Sequence, residues 1–260
     1  MNRNEAILRE LNLYPLWVRR TPAAQAAGTV TPNQPEQPVQ PAQRSAPPEV
    51  QVPPVPTAAP APAALLEKAD VLAGLAWPEL KECVRDCQIC RLRGGCTQTV
   101  FGVGDEKARW LFVGEGPGAD EDAQGEPFVG QAGKLLDNML MAIRLKRGSD
   151  VYIANVVKCR PPGNRAPEPD EVAACLPYLQ RQIALLQPKV IVALGKTAAN
   201  ALLGRDVTLG SLRGTLHEYR GIPLVVTYHP AYLLRTPADK AKAWQDLRLA
   251  VSTMQANDGE

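Results

Sequence analysis

The sequence contains no long apolar run. Its 260 residues nowhere include about 20 consecutive apolar residues, the length that a membrane-spanning helix requires. The N-terminus also lacks the apolar core and small-residue cleavage site of a signal peptide. We therefore expect a cytoplasmic protein with no membrane partner. In that reducing compartment the six cysteines would serve metal binding or catalysis rather than disulfides.

An excess of charge of one sign is also missing. The chain carries 29 Lys and Arg against 27 Asp and Glu, so no overall basic field identifies a nucleic-acid partner. A local basic segment runs from Met141 to Arg165, where Asp150 is the single acid. Its basic residues are Arg144, Lys146, Arg147, Lys158, Arg160 and Arg165. The segment suits either a phosphate-facing rim or a solvated helix end with a loop.

Two common nucleotide-binding motifs are incomplete. Gly114-Glu-Gly-Pro-Gly118 allows a tight turn, but it is not G-x-G-x-x-G, and Pro117 has no N–H for a pyrophosphate. Gly195-Lys196-Thr197 has the form of a P-loop end, yet Val190 occupies the position of the first glycine. Both patterns therefore argue against a bound dinucleotide or nucleoside triphosphate.

Proline divides the chain. Much of the total of 25 prolines falls between Thr21 and Pro62, which predicts a disordered linker over residues 21–63. Residues 1–20 have the pattern of a short amphipathic helix. This helix would either dock on a protein partner or pack on its own domain. Residues 64–260 are rich in Val, Leu, Ile and Ala and predict the globular domain.

Apolar runs alternate with amphipathic segments in this domain. The predicted strands are Trp110–Val113, Val151–Ala154, Val190–Leu194 and Leu224–Thr227, and the predicted helices are Gly133–Leu145, Glu171–Leu186 and Asp239–Met254. Such alternation indicates a three-layer α/β/α fold with a central four-stranded parallel sheet. Ligands of open parallel sheets bind beyond the carboxyl ends of the strands, which makes the loops after these strands the expected site.

Four cysteines have a spacing that favours an iron-sulfur cluster. Cys87 and Cys90 form one C-x2-C pair, whereas Cys159 and Cys175 are single residues. Structural zinc sites usually contain paired units, while a cluster held by four thiolates accommodates dispersed ligands. Asp170 is expected to cap the helix that carries Cys175.

One of the two histidines follows a predicted strand directly. His229 precedes Pro230 and an apolar triplet, Tyr232-Leu233-Leu234. A lone histidine is more often structural. The triplet suits either a wedge that enters a base stack or the start of a core helix.

These motifs together resemble the iron-sulfur family 4 uracil-DNA glycosylases. The resemblance runs from about Cys87 to Leu249. It is carried by GEGPGADEDAQGEPFVGQAG (114–133), VYIANVVKCRPPGNRAPEPDE (151–171), VIVALG (190–195) and TYHPAYLLR (227–235). It implies a [4Fe-4S] cluster on Cys87, Cys90, Cys159 and Cys175 and leaves out Cys83 and Cys96. Cys96 stands where members of the family often carry an arginine.

The resemblance also implies the roles of the site residues. Phe128 and Gly116 would contact a flipped uracil, and Asn155 would read its edge. His229 would donate to uracil O2, and Glu115 would orient the attacking water, with Glu121 and Asp122 as second choices. Expected DNA contacts are Arg160, Arg165, Tyr232, Leu233, Leu234 and Arg235. A monomer acting on uracil-containing DNA is expected, and the alternative is a non-catalytic iron-sulfur DNA-binding module that recruits a repair or replication partner.

Overall fold

A mixed sheet forms the centre of the domain. The computed structural model describes residues 71–258, so the predicted helix over residues 1–20 and linker over residues 21–63 lie outside the described residues. The strands are β1 (Val103–Gly104), β2 (Trp110–Gly114), β3 (Val151–Asn155), β4 (Val190–Leu194), β5 (Leu216–Tyr219) and β6 (Ile222–Thr227). Their order across the sheet is β1-β3-β2-β4-β6-β5. The predicted parallel sheet is confirmed as its four central strands.

The two edge strands are antiparallel. β1 pairs with β3, and β5 pairs with β6. Sequence patterns did not predict either strand, because β1 has only two residues and the first three residues of β5, Leu216, His217 and Glu218, are exposed or half-buried. Strand propensity is weak evidence at such positions, where few side chains pack against a neighbour.

The sheet buries a separate core on each face. In β2, Leu111 and Val113 belong to one core, whereas Trp110 and Phe112 belong to the other. Successive side chains of a strand point to opposite faces, so fully buried strands require helices on both sides. This arrangement is the predicted three-layer architecture.

The helices are α1 (Trp77–Arg85), α2 (Ala119–Gln124), α3 (Gln131–Ala142), α4 (Pro169–Leu186), α5 (Lys196–Leu203), α6 (Leu209–Leu212), α7 (Pro230–Arg235) and α8 (Lys240–Asp258). Leu136 and Leu140 of α3 and Leu247 of α8 pack in one core, and Leu179 and Ile183 of α4 pack in the other. None of the helices between residues 71 and 258 is long and apolar enough to cross a membrane.

Two details of the helices differ from expectation. The N-cap of α4 is Glu168 and not Asp170, because Pro169 occupies the first helical position, where its missing N–H costs nothing. The Glu171 carboxylate accepts the Glu168 backbone N–H at 2.8 Å, as in a capping box. The amphipathic pattern of the last helix predicts Trp244 on its buried face, but in α8 Trp244 is exposed, and Ala243 and Ala250 are buried beside Leu247.

Candidate active site and cysteine cavity

A cleft of about 440 Å³ lies at the carboxyl edge of the central strands. It is the position expected for the ligand of an open parallel sheet. Nine of the predicted site residues line it: Glu115, Gly116, Glu121, Phe128, Asn155, Arg165, His229, Tyr232 and Arg235. The structure therefore brings together side chains that are up to 120 positions apart in the sequence.

Asn155 is a buried amide in this cleft. It is the last residue of β3 and only 1% exposed, and its Oδ1 accepts no hydrogen bond from any residue that the structure describes. The neighbouring position in the sheet is Gly114. A Cβ there would lie 2.4 Å from Asn155 Oδ1 and 2.5 Å from the Phe128 ring, so only glycine fits. A buried polar atom without a partner is costly, and a ligand that donates to it would remove that cost.

Phe128 and His229 form one wall of the cleft. Their rings stack with centroids 5.4 Å apart and planes 30° apart. The Phe128 backbone adopts a left-handed conformation, with φ at 56°, which is rare for a bulky residue. Such a conformation persists only where surrounding contacts hold it.

Arg147 supplies those contacts. Its Nη1 donates to Pro127 O and its Nη2 to Phe128 O, both at 2.8 Å, while its Nε donates to Asp137 Oδ1 at 3.0 Å. Gly133 completes the fit, because a Cβ there would lie 1.8 Å from Phe128 O. Arg147 is therefore an internal clamp and is not free to contact phosphate.

His229 is held in one tautomer. It is the N-cap of α7, and its Nδ1 accepts the Ala231 backbone N–H at 3.2 Å. The hydrogen of the neutral ring is therefore on Nε2, which becomes a donor. Burial, together with a smaller effect of the nearby Arg235 cation, lowers the pKa of His229 to about 4. The imidazole is thus neutral at physiological pH.

Glu115 follows β2 and is fixed from two sides. Its backbone carbonyl accepts the Val157 N–H at 3.1 Å. Its Oε2 accepts a short hydrogen bond from the Thr197 hydroxyl, which comes from the first turn of α5. The sequence did not reveal Thr197 as part of the site, since the contact joins residues 82 positions apart.

Glu121 and Asp122 hold the loops behind the cleft. Glu121 Oε1 accepts the N–H groups of Val129 and Gly130 at 2.9 and 3.0 Å, and its Oε2 accepts that of Gly118 at 3.0 Å. Asp122 accepts the N–H and hydroxyl of Thr97, each at 2.9 Å. The oxygens of both carboxylates therefore accept hydrogen bonds that hold the loops in place.

Some of the residues predicted to contact DNA are exposed, and others are buried or bonded to other parts of the protein. Leu234 is 43% exposed, whereas Leu233 is 1% exposed and packs in the core. Of these two leucines, Leu234 can therefore contact DNA without a rearrangement, and Leu233 cannot. Arg235 is exposed beside the cleft. Tyr232 stacks on Tyr228 with centroids 4.9 Å apart and donates its hydroxyl to Asp239 at 2.6 Å.

Two arginines of the loop between β3 and α4, Arg160 and Arg165, were predicted to contact DNA, but both are bonded to other side chains. Arg160 Nε donates to Asn164 Oδ1 at 2.7 Å. Arg165 donates to both carboxylate oxygens of Glu171, at 2.6 and 2.8 Å, and Arg91 adds a bond to Glu171 at 2.9 Å. The Arg165 bond, with Arg91 assisting, holds the pKa of the buried Glu171 at about 2. The basic segment from Met141 to Arg165 is therefore not one free phosphate-facing rim.

The four cysteines predicted as ligands line a second cavity. Cys87, Cys90, Cys159 and Cys175 share it with apolar side chains, among them Val84, Leu92 and Tyr178. All six cysteines lie in the described part of the chain, and no disulfide joins any of them. Cys83 and Cys96 do not line this cavity, although Cys96 is close enough to Cys159 to affect its pKa.

The chemistry of this cavity fits an iron-sulfur cluster. Burial raises the pKa of the Cys159 thiol, so a thiolate there needs compensating positive charge such as iron. The Lys158 backbone N–H already donates to Cys175 Sγ at 3.2 Å, a typical bond to a ligand sulfur. Within residues 71–258, no group of three or more Cys, His, Asp or Glu side chains is arranged to hold a single metal ion.

Lys158 connects the cavity with the cleft. Its buried ammonium donates to the Asn155 backbone carbonyl at 2.8 Å and to Gln182 Oε1 at 2.6 Å. Burial lowers its pKa to about 8, while the neighbouring Cys175 raises it. The sequence analysis placed this lysine in either a phosphate-facing rim or a solvated loop, because a charged residue inside a basic segment gives no sign of burial.

Several known proteins have sequences similar to this one. The sequence model described as "Uracil DNA glycosylase superfamily" matches residues 101–248. A "Type-4 uracil-DNA glycosylase" of Pyrobaculum aerophilum is 44% identical over 179 residues, which are 66% of this chain and 91% of that protein. One of Archaeoglobus fulgidus is 46% identical over 59% of this chain and 81% of its own length. A "Type-5 uracil-DNA glycosylase" of Thermus thermophilus is 35% identical over 50% of this chain and 68% of its own length. The chain therefore belongs to the uracil DNA glycosylase superfamily, and within it to the type-4 group.

Proposed function

We propose that this protein excises uracil from DNA. It hydrolyses the N-glycosidic bond of a deaminated cytosine and leaves an abasic site for base excision repair. The observation that carries the proposal is the unpartnered Oδ1 of Asn155, buried in a cleft beside an aromatic wall and a neutral histidine donor. The relatives named for this activity add independent support.

The cleft suits a base that has left the stack. The glycosidic bond of a paired uracil is out of reach inside the duplex, so the nucleotide must rotate into a pocket. Phe128 offers the stacking face, and Gly116 lets the base approach the backbone of the same cleft. The exposed Leu234 and Arg235 at the mouth would fill the vacated position and contact phosphate.

Asn155 selects uracil by its hydrogen-bonding edge. Its Oδ1 accepts from uracil N3–H, and its Nδ2 donates to uracil O4. Cytosine presents the reverse pattern, an acceptor at N3 and a donor at N4, and would leave buried groups unpaired. A pocket built on such bonds rejects the wrong base strongly.

His229 and Glu115 act on the two products of bond breaking. Negative charge develops on the departing uracil at O2, where the Nε2–H of the neutral His229 donates a hydrogen bond that strengthens in the transition state. Positive charge develops on the sugar, which the Glu115 carboxylate stabilises while it orients the attacking water.

Cys87, Cys90, Cys159 and Cys175 would hold a [4Fe-4S] cluster. When bound, the cluster supplies positive charge for the buried thiolates and fixes the loops that carry them, without redox chemistry in the reaction. A cytoplasmic location, action as a monomer and a docking role of residues 1–20 remain predictions.

The test is release of labelled uracil from an oligonucleotide that contains U opposite G, with matched C and T oligonucleotides as controls. We expect the wild type to release uracil alone. Asn155→Ala should lower the rate by about a hundredfold or more, because the base loses its specific partner. Folded wild type that retains its visible absorbance and binds the DNA, yet releases no base, would establish the binding-module alternative instead.

A further inference from the structure

We infer that Thr197 is a positioning residue for the reaction, acting through the Glu115 carboxylate. This inference rests on the proposed function and deepens it. The Thr197 hydroxyl donates to Glu115 Oε2 across the cleft edge. An ionised carboxylate only accepts hydrogen bonds, so the hydroxyl must be the donor.

The turn that carries Thr197 also sets the position of His229. Gly195 has φ at 96°, and its N–H donates to Thr227 O at 2.8 Å, which ties the turn to the end of β6. A Cβ on Gly195 would lie 3.1 Å from the His229 Cβ, so glycine allows the histidine to approach. The turn from Gly195 to Thr197 therefore contacts both groups that act on the glycosidic bond.

Gly195-Lys196-Thr197, which is not part of a P-loop, thereby gains a function in the site. Thr197 is in the first turn of α5, where the helix dipole also favours a negative charge. With Oε2 engaged, Glu115 Oε1 has no hydrogen-bond partner among residues 71–258. Thr197 thereby fixes the carboxylate rotamer and assigns Oε1 to the attacking water.

The bond is charge-assisted, so its removal has a measurable effect on the chemical step. Hydrogen bonds to charged groups are worth about 1.5–3 kcal/mol, which corresponds to a factor of roughly 10 to 150 in rate. Because Thr197 acts through Glu115 and does not touch the base, its loss is expected to lower the rate of bond cleavage and to leave DNA affinity unchanged.

Single-turnover uracil release and DNA affinity should be measured for Thr197→Val, Thr197→Ser, Glu115→Gln and the Thr197→Val/Glu115→Gln double variant. The Val variant keeps the shape and loses the hydroxyl, and it should cleave about tenfold to a hundredfold more slowly at unchanged affinity. The Ser variant should recover most of the rate. In the Glu115→Gln background, Thr197→Val should add almost nothing, because a positioning effect has no target there.

Thr208→Val is the matched control, since Thr208 is exposed and outside the cleft, and it should match the wild type. If Thr197→Val does not fold, Thr197→Ala supplies the same comparison. A Val variant as fast as the wild type, a loss that resides in DNA affinity, or additive losses in the double variant would overturn the inference. A wild type that releases no uracil would instead remove the proposed function.

Discussion

The cleft and the cysteine cavity differ in how their functional groups are held in place. In the cleft, the atoms that face a substrate are left available, and the protein itself holds the residues that carry them. Glu121 binds three backbone N–H groups of the Gly118 and Val129 loops, Arg147 clamps Phe128, and Thr197 holds Glu115. The geometry needed for chemistry is thus built before the substrate arrives, which is how enzymes avoid reorganisation in the transition state.

The cysteine cavity has a different composition. Its thiols come from three separate chain segments, and apolar side chains dominate their surroundings. Burial opposes the charged form of Cys159, so thiolates there need compensating positive charge. The cleft is thus preorganised by the polypeptide, whereas the cavity would be completed by the cluster proposed above.

Removal of the His229 donor should have the largest effect. His229→Ala is expected to lower the uracil release rate by about a hundredfold to a thousandfold, the usual cost of one donor to a developing oxyanion. Its visible absorbance should remain that of the wild type, because the cavity is untouched. His217→Ala, which alters the other histidine outside the cleft, is the control. A loss of visible absorbance in His229→Ala would show that the cleft and the cysteine cavity are not independent.

Loss of a cavity thiol should affect stability first. Cys90→Ser is expected to abolish the visible absorbance and to reduce the free energy of unfolding by about 3 kcal/mol, or roughly 10 °C in melting temperature, since a bound group no longer stabilises the native state. Calorimetry and absorbance spectra of purified protein would measure both. Cys83→Ser should keep its colour and melting temperature, because Cys83 does not line the cavity. Equal losses in both variants would contradict the ligand assignment.

The Arg147 clamp provides a smaller and more specific change. Arg147→Met leaves the carbonyl groups of Pro127 and Phe128 without their donor, so the stacking wall should loosen. We expect KM for uracil-containing DNA to rise about tenfold with a smaller change in kcat, because the lost contact supports binding of the base. Steady-state kinetics would separate the two constants. Arg144→Met, at an exposed position nearby, should leave both unchanged.

A change of pH near neutrality is expected to have the smallest effect on the uracil release rate. Because the pKa of His229 is lowered to about 4, the release rate should stay constant as pH falls from 8 through 6.5 and should drop only on approach to 4. The same shift affects stability, since an unfolded histidine binds a proton near 6.5. The stabilisation that comes from burying the neutral His229 is therefore fully present above pH 6.5 and is lost as the pH falls to about 4. A rate profile with its midpoint near 6.5 would show that the imidazole is not buried as described.

Sequence reasoning was most successful where chemistry follows a strand. Asn155 and His229 come directly after or at the end of buried apolar runs, and parallel strands bring such ends to one edge. Thr197 and Arg147 were missed because their contacts join them to residues at least ten positions away in the sequence. Leu233 could have been recognised as a core residue, since it lies three positions after the buried Pro230 on one face of α7.

Lys158 joins the cleft and the cysteine cavity through one short loop. The chain passes from Asn155 to Cys159 in four residues, and the lysine between them reaches back to the Asn155 carbonyl while its own N–H donates to Cys175. Under the proposed function, a change at the cluster would therefore be transmitted through this lysine to the amide that would distinguish uracil from cytosine.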